Sequence, residues 1–164
     1  VSGHIVEIMK RPAKVILGMA VAAMACGSIT LAQTGSSAQL IKERQQGLKA
    51  LGAAFKVIRD ELRGESPDPT KIRTASTDIT KAAGAIGSWF PAGTGPESGA
   101  KTDAKPEIWT DAAGFAVARD AFIREADKWS RLGANSDTAA WKEAAGSLGQ
   151  SCKGCHEKYR VKRE

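Results

Sequence analysis

The feature that most constrains the fold is an apolar residue at every seventh position: Ile41, Leu48, Phe55 and Leu62, with Leu51 and Ile58 filling the seam between them. A strand sends successive side chains to opposite faces, so a seven-residue recurrence cannot line one face of a sheet, whereas a helix returns to the same face after two turns. Residues Gln39 to Arg63 therefore predict a helix, stopped by Gly64. Asp68-Pro69 opens a second, with proline at the first helical position, where its missing N–H costs nothing. Ile72, Ala75, Ile79, Ala82 and Ile86 mark its buried face. A third helix, roughly Glu107 to Leu132, buries Phe115, Phe122 and Trp129 at heptad spacing, with Ala112, Arg119 and Ala126 between them. The capping cluster Asn135-Ser136-Asp137 precedes a fourth, which carries Trp141, Ala145, Leu148, Cys152, Cys155 and Tyr159 on one face. No stretch alternates as a strand would. The connection over residues 90–106, FPAGTGPESGAKTDAKP, is longer than most inside a domain. Two short connections and one long one predict an all-α fold, an antiparallel four-helix bundle with a crossover loop between helices 2 and 3.

The first 32 of the 164 residues stand outside this pattern. Met9-Lys10-Arg11-Pro12-Ala13-Lys14 is a basic start, an apolar run rich in small residues follows, and Thr30-Leu31-Ala32 closes it as a small-x-small cleavage site. That is the layout of a secretory signal peptide, with cleavage expected after Ala32. The alternative is an uncleaved anchor, since the run is just long enough to cross a bilayer. Val1 to Ile8 lie upstream of a natural start at Met9 and read as a mis-called start. Cys26 follows Ala23-Met24-Ala25, a poor match to a lipoprotein signal. The mature chain, residues 33–164, then loses Met9, Met19, Met24, His4 and Cys26, and keeps two cysteines, one histidine and no methionine. Three cations and one anion leave the 24 and 18 of the whole chain, so the net charge falls to +4. That charge is mild and evenly spread, which argues against nucleic acid as a partner.

The surviving cysteines and histidine stand together in "SCKGCHEKYR", residues 151–160. C-x-x-C-H is the attachment motif of c-type haem. On a helix Cys152 and Cys155 share a face, so both sulfurs can reach the vinyl groups of one porphyrin, and His156 can turn its imidazole to the iron. A thioredoxin-type C-x-x-C wants a preceding strand, and none is predicted. A structural zinc wants four ligands, and the mature chain has three Cys or His in all. A disulfide across so short a loop would leave His156 without a role. One covalently bound haem c is therefore the expected cofactor. With no methionine and no second histidine left, and no lysine on the apolar seam of the first helix, the iron is expected to be five-coordinate with one face open.

Arg44 is the one charged member of the first helix's seam. Near a helix start it can snorkel to water. With a haem in the core it can instead pair with a buried propionate, whose carboxylate suits a guanidinium fork. Leu48, one turn further on, would face the porphyrin or simply fill the core.

The chain resembles the cytochromes c′, the class II c-type cytochromes with a C-terminal haem motif. The pieces that carry the resemblance are "RQQGL" (44–48), "FPAGTGPESG" (90–99), "DAKPEIWTDAAGF" (103–115) and "CKGCHEKYR" (152–160). The resemblance implies thioether links at Cys152 and Cys155, axial iron ligation by His156, and haem contacts from Arg44 and Gln45. It implies that Asp103 lies near the haem edge and Arg160 beside the proximal face. It places Leu48 at the distal position where low-spin relatives carry a ligating methionine. Trp89 and Phe90 are candidates for distal-pocket aromatics, or ordinary core at a helix end. Family members often pair through their first two helices; Gly52, Ala53 and Ala54 would offer such a homodimer a small-residue surface, or be solvated. The family's usual activity is electron transfer with a periplasmic redox partner, and an open iron face under an apolar residue admits NO or CO. A dedicated gas-binding module with no carrier role is the alternative. A peroxidase-like enzyme would need distal acid and base groups, and no histidine is left to serve, so no catalytic residue is expected.

Overall fold

The computed structural model describes residues 36–132 and 137–162. The expected signal peptide and mis-called start, the cleavage site, and Asn135 and Ser136 lie outside the described residues. Five helices follow in order: α1 Ser37–Glu61, α2 Pro69–Ala85, α3 Glu107–Thr110, α4 Ala112–Ser130 and α5 Thr138–Tyr159. Among the described residues there is no strand, and no helix is long and apolar enough to cross a membrane. The long helices form the expected four-helix bundle, packed α1 on α2, α2 on α4 and α4 on α5.

Three of the long helices, α1, α2 and α5, start on side-chain caps. Ser36 accepts from Gln39 N–H, Asp68 from Thr70 and Lys71 N–H with Pro69 behind it, and Asp137 from Ala140 N–H. The core follows the seams: Ile41, Ile58, Ile72, Ile79, Phe122, Trp129 and Leu148 are each at most 4% exposed. Trp129 donates its indole N–H to Ser76, which ties α4 to α2. Ile72, Ala75 and Ile79 of α2 and Ile86 just after it are buried as expected; between the last two it is Ala83 and not the expected Ala82 that is buried, four residues after Ile79 and three before Ile86 on the same helical face.

The expected third helix is two. The chain breaks at Asp111, whose backbone (φ −117°, ψ 55°) leaves the helical region between α3 and α4. Its carboxylate caps α4 by accepting from Gly114 N–H at 3.1 Å. Ala112, expected to share the buried seam, is consequently exposed.

The small-residue surface expected on α1 is also altered. Ala54 is buried in the bundle's own core at 7% exposure, while Gly52, at the edge of the cavity between α1 and α5, and Ala53 are exposed.

Candidate functional site

α1 and α5 face one another across a cavity of about 710 Å³. That is well within the range of about 300–1,000 Å³ typical of small-molecule and cofactor sites. Phe55 of α1 lies close to Gly149 of α5; a Cβ on that glycine would stand 3.3 Å from Phe55 Cζ. Eight of the residues singled out by the haem reading border the cavity: Arg44, Gln45, Leu48, Asp103, Cys152, Cys155, His156 and Arg160. A second cleft, about 520 Å³ between Pro69 and Trp141, contains none of them.

The α5 wall holds the reactive groups. Cys152 and Cys155 are half-buried free thiols one helical turn apart. Burial pushes both thiols up from their ordinary values, Cys155 further opposed by Cys152, so both are protonated at neutral pH. His156 is open to the cavity, yet the surrounding protein partly desolvates its ring. That desolvation, with the charge of Arg160, holds the imidazole below its usual range and keeps a lone pair available to a metal. The α1 wall opposite presents Leu48, Leu51 and Phe55, and the floor adds Ile79, Phe115 and Phe122. Gln45 reaches from α1 to the crossover loop, donating Nε2 to Lys101 O at 2.9 Å. Lys49 and Lys101 stand exposed at the rim, two lysines that the α1 seam alone does not reveal.

Arg44 is not snorkelling. It is 2% exposed, and its guanidinium fastens the crossover loop to α1. Nη1 donates to Thr94 Oγ1 at 3.0 Å and Trp89 O at 3.4 Å; Nη2 donates to Thr94 O and Thr102 Oγ1, both at 2.9 Å. Its Cζ lies 4.8 Å from the centre of the Phe90 ring and 5.9 Å from that of Trp109. Thr94 and Thr102 give no sequence signal for this role, because a threonine in a polar loop has no periodicity to read. Replacing Arg44 by leucine should strand the buried Thr94 groups and lower stability by about 1–3 kcal/mol, the range for an unsatisfied buried polar group. Arg44→Lys should recover only part of it, since an ammonium lacks the planar fork. Urea unfolding midpoints check both; an unchanged midpoint in Arg44→Leu would rule out the loop lock.

The two aromatic candidates part company. Phe90 lines the cavity, its ring edge-on to Phe115 with centroids 5.0 Å apart. Trp89 does not line it; it packs on α1 over Gly47, where a Cβ would sit 2.6 Å from the indole Cζ2. Asp111, which sequence reasoning passed over, accepts from Tyr159 and Lys158 and joins the end of α5 to the α3–α4 break.

A flat apolar macrocycle with two carboxylates at one edge fits this arrangement. The walls are largely aliphatic and aromatic, both thiols and the imidazole come from α5, and cationic and amide groups come from α1 (Arg44, Gln45, Lys49), the loop (Lys101), α4 (Arg119) and Arg160.

A family model described as cytochrome c′ matches residues 39–160. The cytochrome c′ of Rubrivivax gelatinosus is 32% identical over 122 residues, covering 74% of this chain and 94% of that protein. That of Alcaligenes xylosoxydans is 35% identical over 124 residues, covering 75% and 94%. Among solved structures, the Rubrivivax gelatinosus cytochrome c′ aligns with a TM-score of 0.70 at 31% identity, covering 77% of this chain and 98% of its own. A nitric oxide complex of a variant of the Alcaligenes xylosoxidans protein aligns with a TM-score of 0.70 at 28% identity, covering 79% and 98%. The chain belongs to the cytochrome c′ family, and its cofactor is haem c, bound covalently.

Proposed function

We infer that this chain is an exported, periplasmic electron-transfer protein whose five-coordinate haem iron also takes up NO and CO. The observation that carries this reading is the division of the cavity between two helices: thiols and imidazole on α5, and an apolar α1 wall centred on Leu48. Cys152 and Cys155 would hold the porphyrin through thioethers, and His156 would supply the axial nitrogen. When bound, the haem supplies a one-electron iron couple and a coordination position for small neutral ligands. Gln45, Asp103 and Arg160 would border the haem edge. Arg44 would serve it mainly by holding the crossover loop in place, with any propionate contact left to the part of its guanidinium not engaged with Thr94, Thr102 and Trp89.

Leu48, Leu51 and Phe55 themselves offer an anion no hydrogen-bond partner, while the donors of α1 that line the cavity, Arg44, Gln45 and Lys49, are separate from them along the helix. Among the described residues that line the cavity from α1, none is a histidine or a carboxylate, so that wall has no acid–base pair for peroxidase-type chemistry. This favours a carrier and gas binder over an enzyme. A nitric oxide complex exists of a relative's variant, which supports the same ligand here.

Absorption spectra of the ferrous mature protein with and without NO test the reading. A high-spin five-coordinate spectrum that changes on adding NO is expected; a spectrum indifferent to NO overturns the gas-binding half. Electron self-exchange then separates a carrier from a dedicated gas-binding module, since only a carrier exchanges rapidly.

A homodimer through α1 and α2 belongs to the same proposal. A cytochrome c′ with a ligand-controlled dimer dissociation aligns with a TM-score of 0.71 at 29% identity, and Ala53 and Val57 lie exposed on α1 here. Sedimentation of the holoprotein decides it: a monomer at every concentration removes the dimer.

A further inference from the structure

The last turn of α5 is fastened by a side chain that the haem contacts leave unused. At the α3–α4 break, Asp111 Oδ2 accepts from Tyr159 Oη at 3.0 Å and from Lys158 Nζ at 2.7 Å, while Oδ1 takes Gly114 N–H at 3.1 Å. Those donors, Lys158 first and then Tyr159, hold the Asp111 carboxyl below the usual carboxylate range, so it is present as a full acceptor. Tyr159 is 2% exposed, with its ring edge-on to Phe115, centroids 5.3 Å apart. A Cβ on Gly114 would come within 2.7 Å of Tyr159 Oη and closer still to Asp111 Oδ2. Glycine at that position is what lets phenol and carboxylate meet.

A phenol this buried needs a protein partner for its hydroxyl, and often such a partner lies close by in sequence. This one instead spans 48 residues to a carboxylate whose own backbone has left the helix. The main chain is pinned at the same place, with Lys105 N–H donating to Tyr159 O at 3.0 Å and Val161 N–H to Asp103 O at 2.8 Å. Tyr159 follows His156 by three positions, less than one helical turn, and Arg160 N–H donates to His156 O at 3.1 Å. A rotation of the turn at Tyr159 is therefore passed to His156 through a hydrogen-bonded backbone.

We propose that Asp111 is a positioning residue for His156: through the Tyr159 hydroxyl it fixes the rotation of the last turn of α5, and so the direction in which the imidazole is presented to the iron. This rests on His156 being the axial ligand. Tyr159 transmits the constraint, and Gly114 makes the room for it.

The test uses the mature holoprotein and its Tyr159→Phe and Asp111→Asn variants. Phenylalanine keeps the ring and loses only the hydroxyl; asparagine keeps a capping oxygen for Gly114. Resonance Raman spectra of the ferrous form read the iron–histidine stretch, alongside the reduction potential and the thermal midpoint. Both variants should shift the stretch in the same direction, and the double variant should shift it no further than Asp111→Asn alone, since both remove the Tyr159–Asp111 bond and Asp111→Asn also weakens the Lys158 contact. A lowered midpoint with an unshifted stretch in both variants overturns the proposal and leaves the bond purely structural. A wild type with no iron–histidine band overturns the ligand assignment beneath it as well. Should Asp111→Asn fail to fold, Tyr159→Phe decides alone, and a Tyr159→Phe that cannot fold would also overturn the proposal by making the bond a folding requirement.

Discussion

Mature protein carrying both Cys152→Ser and Cys155→Ser, made in a host with c-type maturation, is expected to lack the mass of one covalent haem. Acid-acetone should strip from it whatever haem remains. The wild type should show the increment and resist extraction. The two thiols sit on one face of α5, half-buried at the cavity wall, and each thioether takes the sulfur and the hydrogen of one thiol across one vinyl group. Serine matches them in shape but forms no thioether. The double variant should also melt at lower temperature, because a largely apolar cavity of about 710 Å³ without its covalent occupant leaves Leu48, Phe115 and Phe122 short of packing partners. Haem that stayed covalently attached to the double variant would show that other residues hold it.

Much of this site was legible because periodicity and motif spacing are local. The seam of α1 places Leu48, Leu51 and Phe55 on one stripe, and C-x-x-C-H places two sulfurs and an imidazole within five residues. What stayed hidden is tertiary. Ile108 stands seven before Phe115, so the heptad reads straight through Asp111, and only the partners Lys158 and Tyr159, far away in sequence, make that aspartate a break. The one local hint is an aspartate three residues before a glycine N–H, and that pattern is too common to act on. Arg44 shows the same limit. Its place on an apolar seam marks it as buried or snorkelling, but the choice is made by Thr94 and Thr102 on a loop without periodicity. Trp89 and Phe90 are neighbours with one composition signal between them, and the end of α2 turns only Phe90 into the cavity. Ala54 reads as surface in a run of small residues, yet it lies in the core four residues before Ile58, also on the buried stripe.

Leu48 carries the second large effect. It is partly buried against the core and lines the cavity from the helix opposite His156, so under the proposed five-coordinate reading its side chain would cover the iron's sixth position. Leu48→Ala is expected to speed CO binding by at least about tenfold, which corresponds to about 1.4 kcal/mol off the barrier. That is the scale of the packing lost when a partly buried leucine is cut back to its Cβ. Leu48→Met is expected to act in the opposite sense. A methionine here is close in volume to leucine, so α1 should fold unchanged, but its thioether can now compete for the vacant position. The ferrous spectrum should move toward six-coordinate low spin, and CO should bind more weakly because it must displace a ligand. Stopped-flow CO kinetics and the ferrous absorption spectrum check both variants. A wild type that is already low-spin and six-coordinate would overturn the open-face reading and turn attention to the rim lysines, Lys49 and Lys101, as ligands. A high-spin wild type whose Leu48→Ala variant binds CO at an unchanged rate would spare the coordination but move the lid. Phe90, which lines the cavity, would then be the residue to test, and not Trp89, which is packed on Gly47 and away from it.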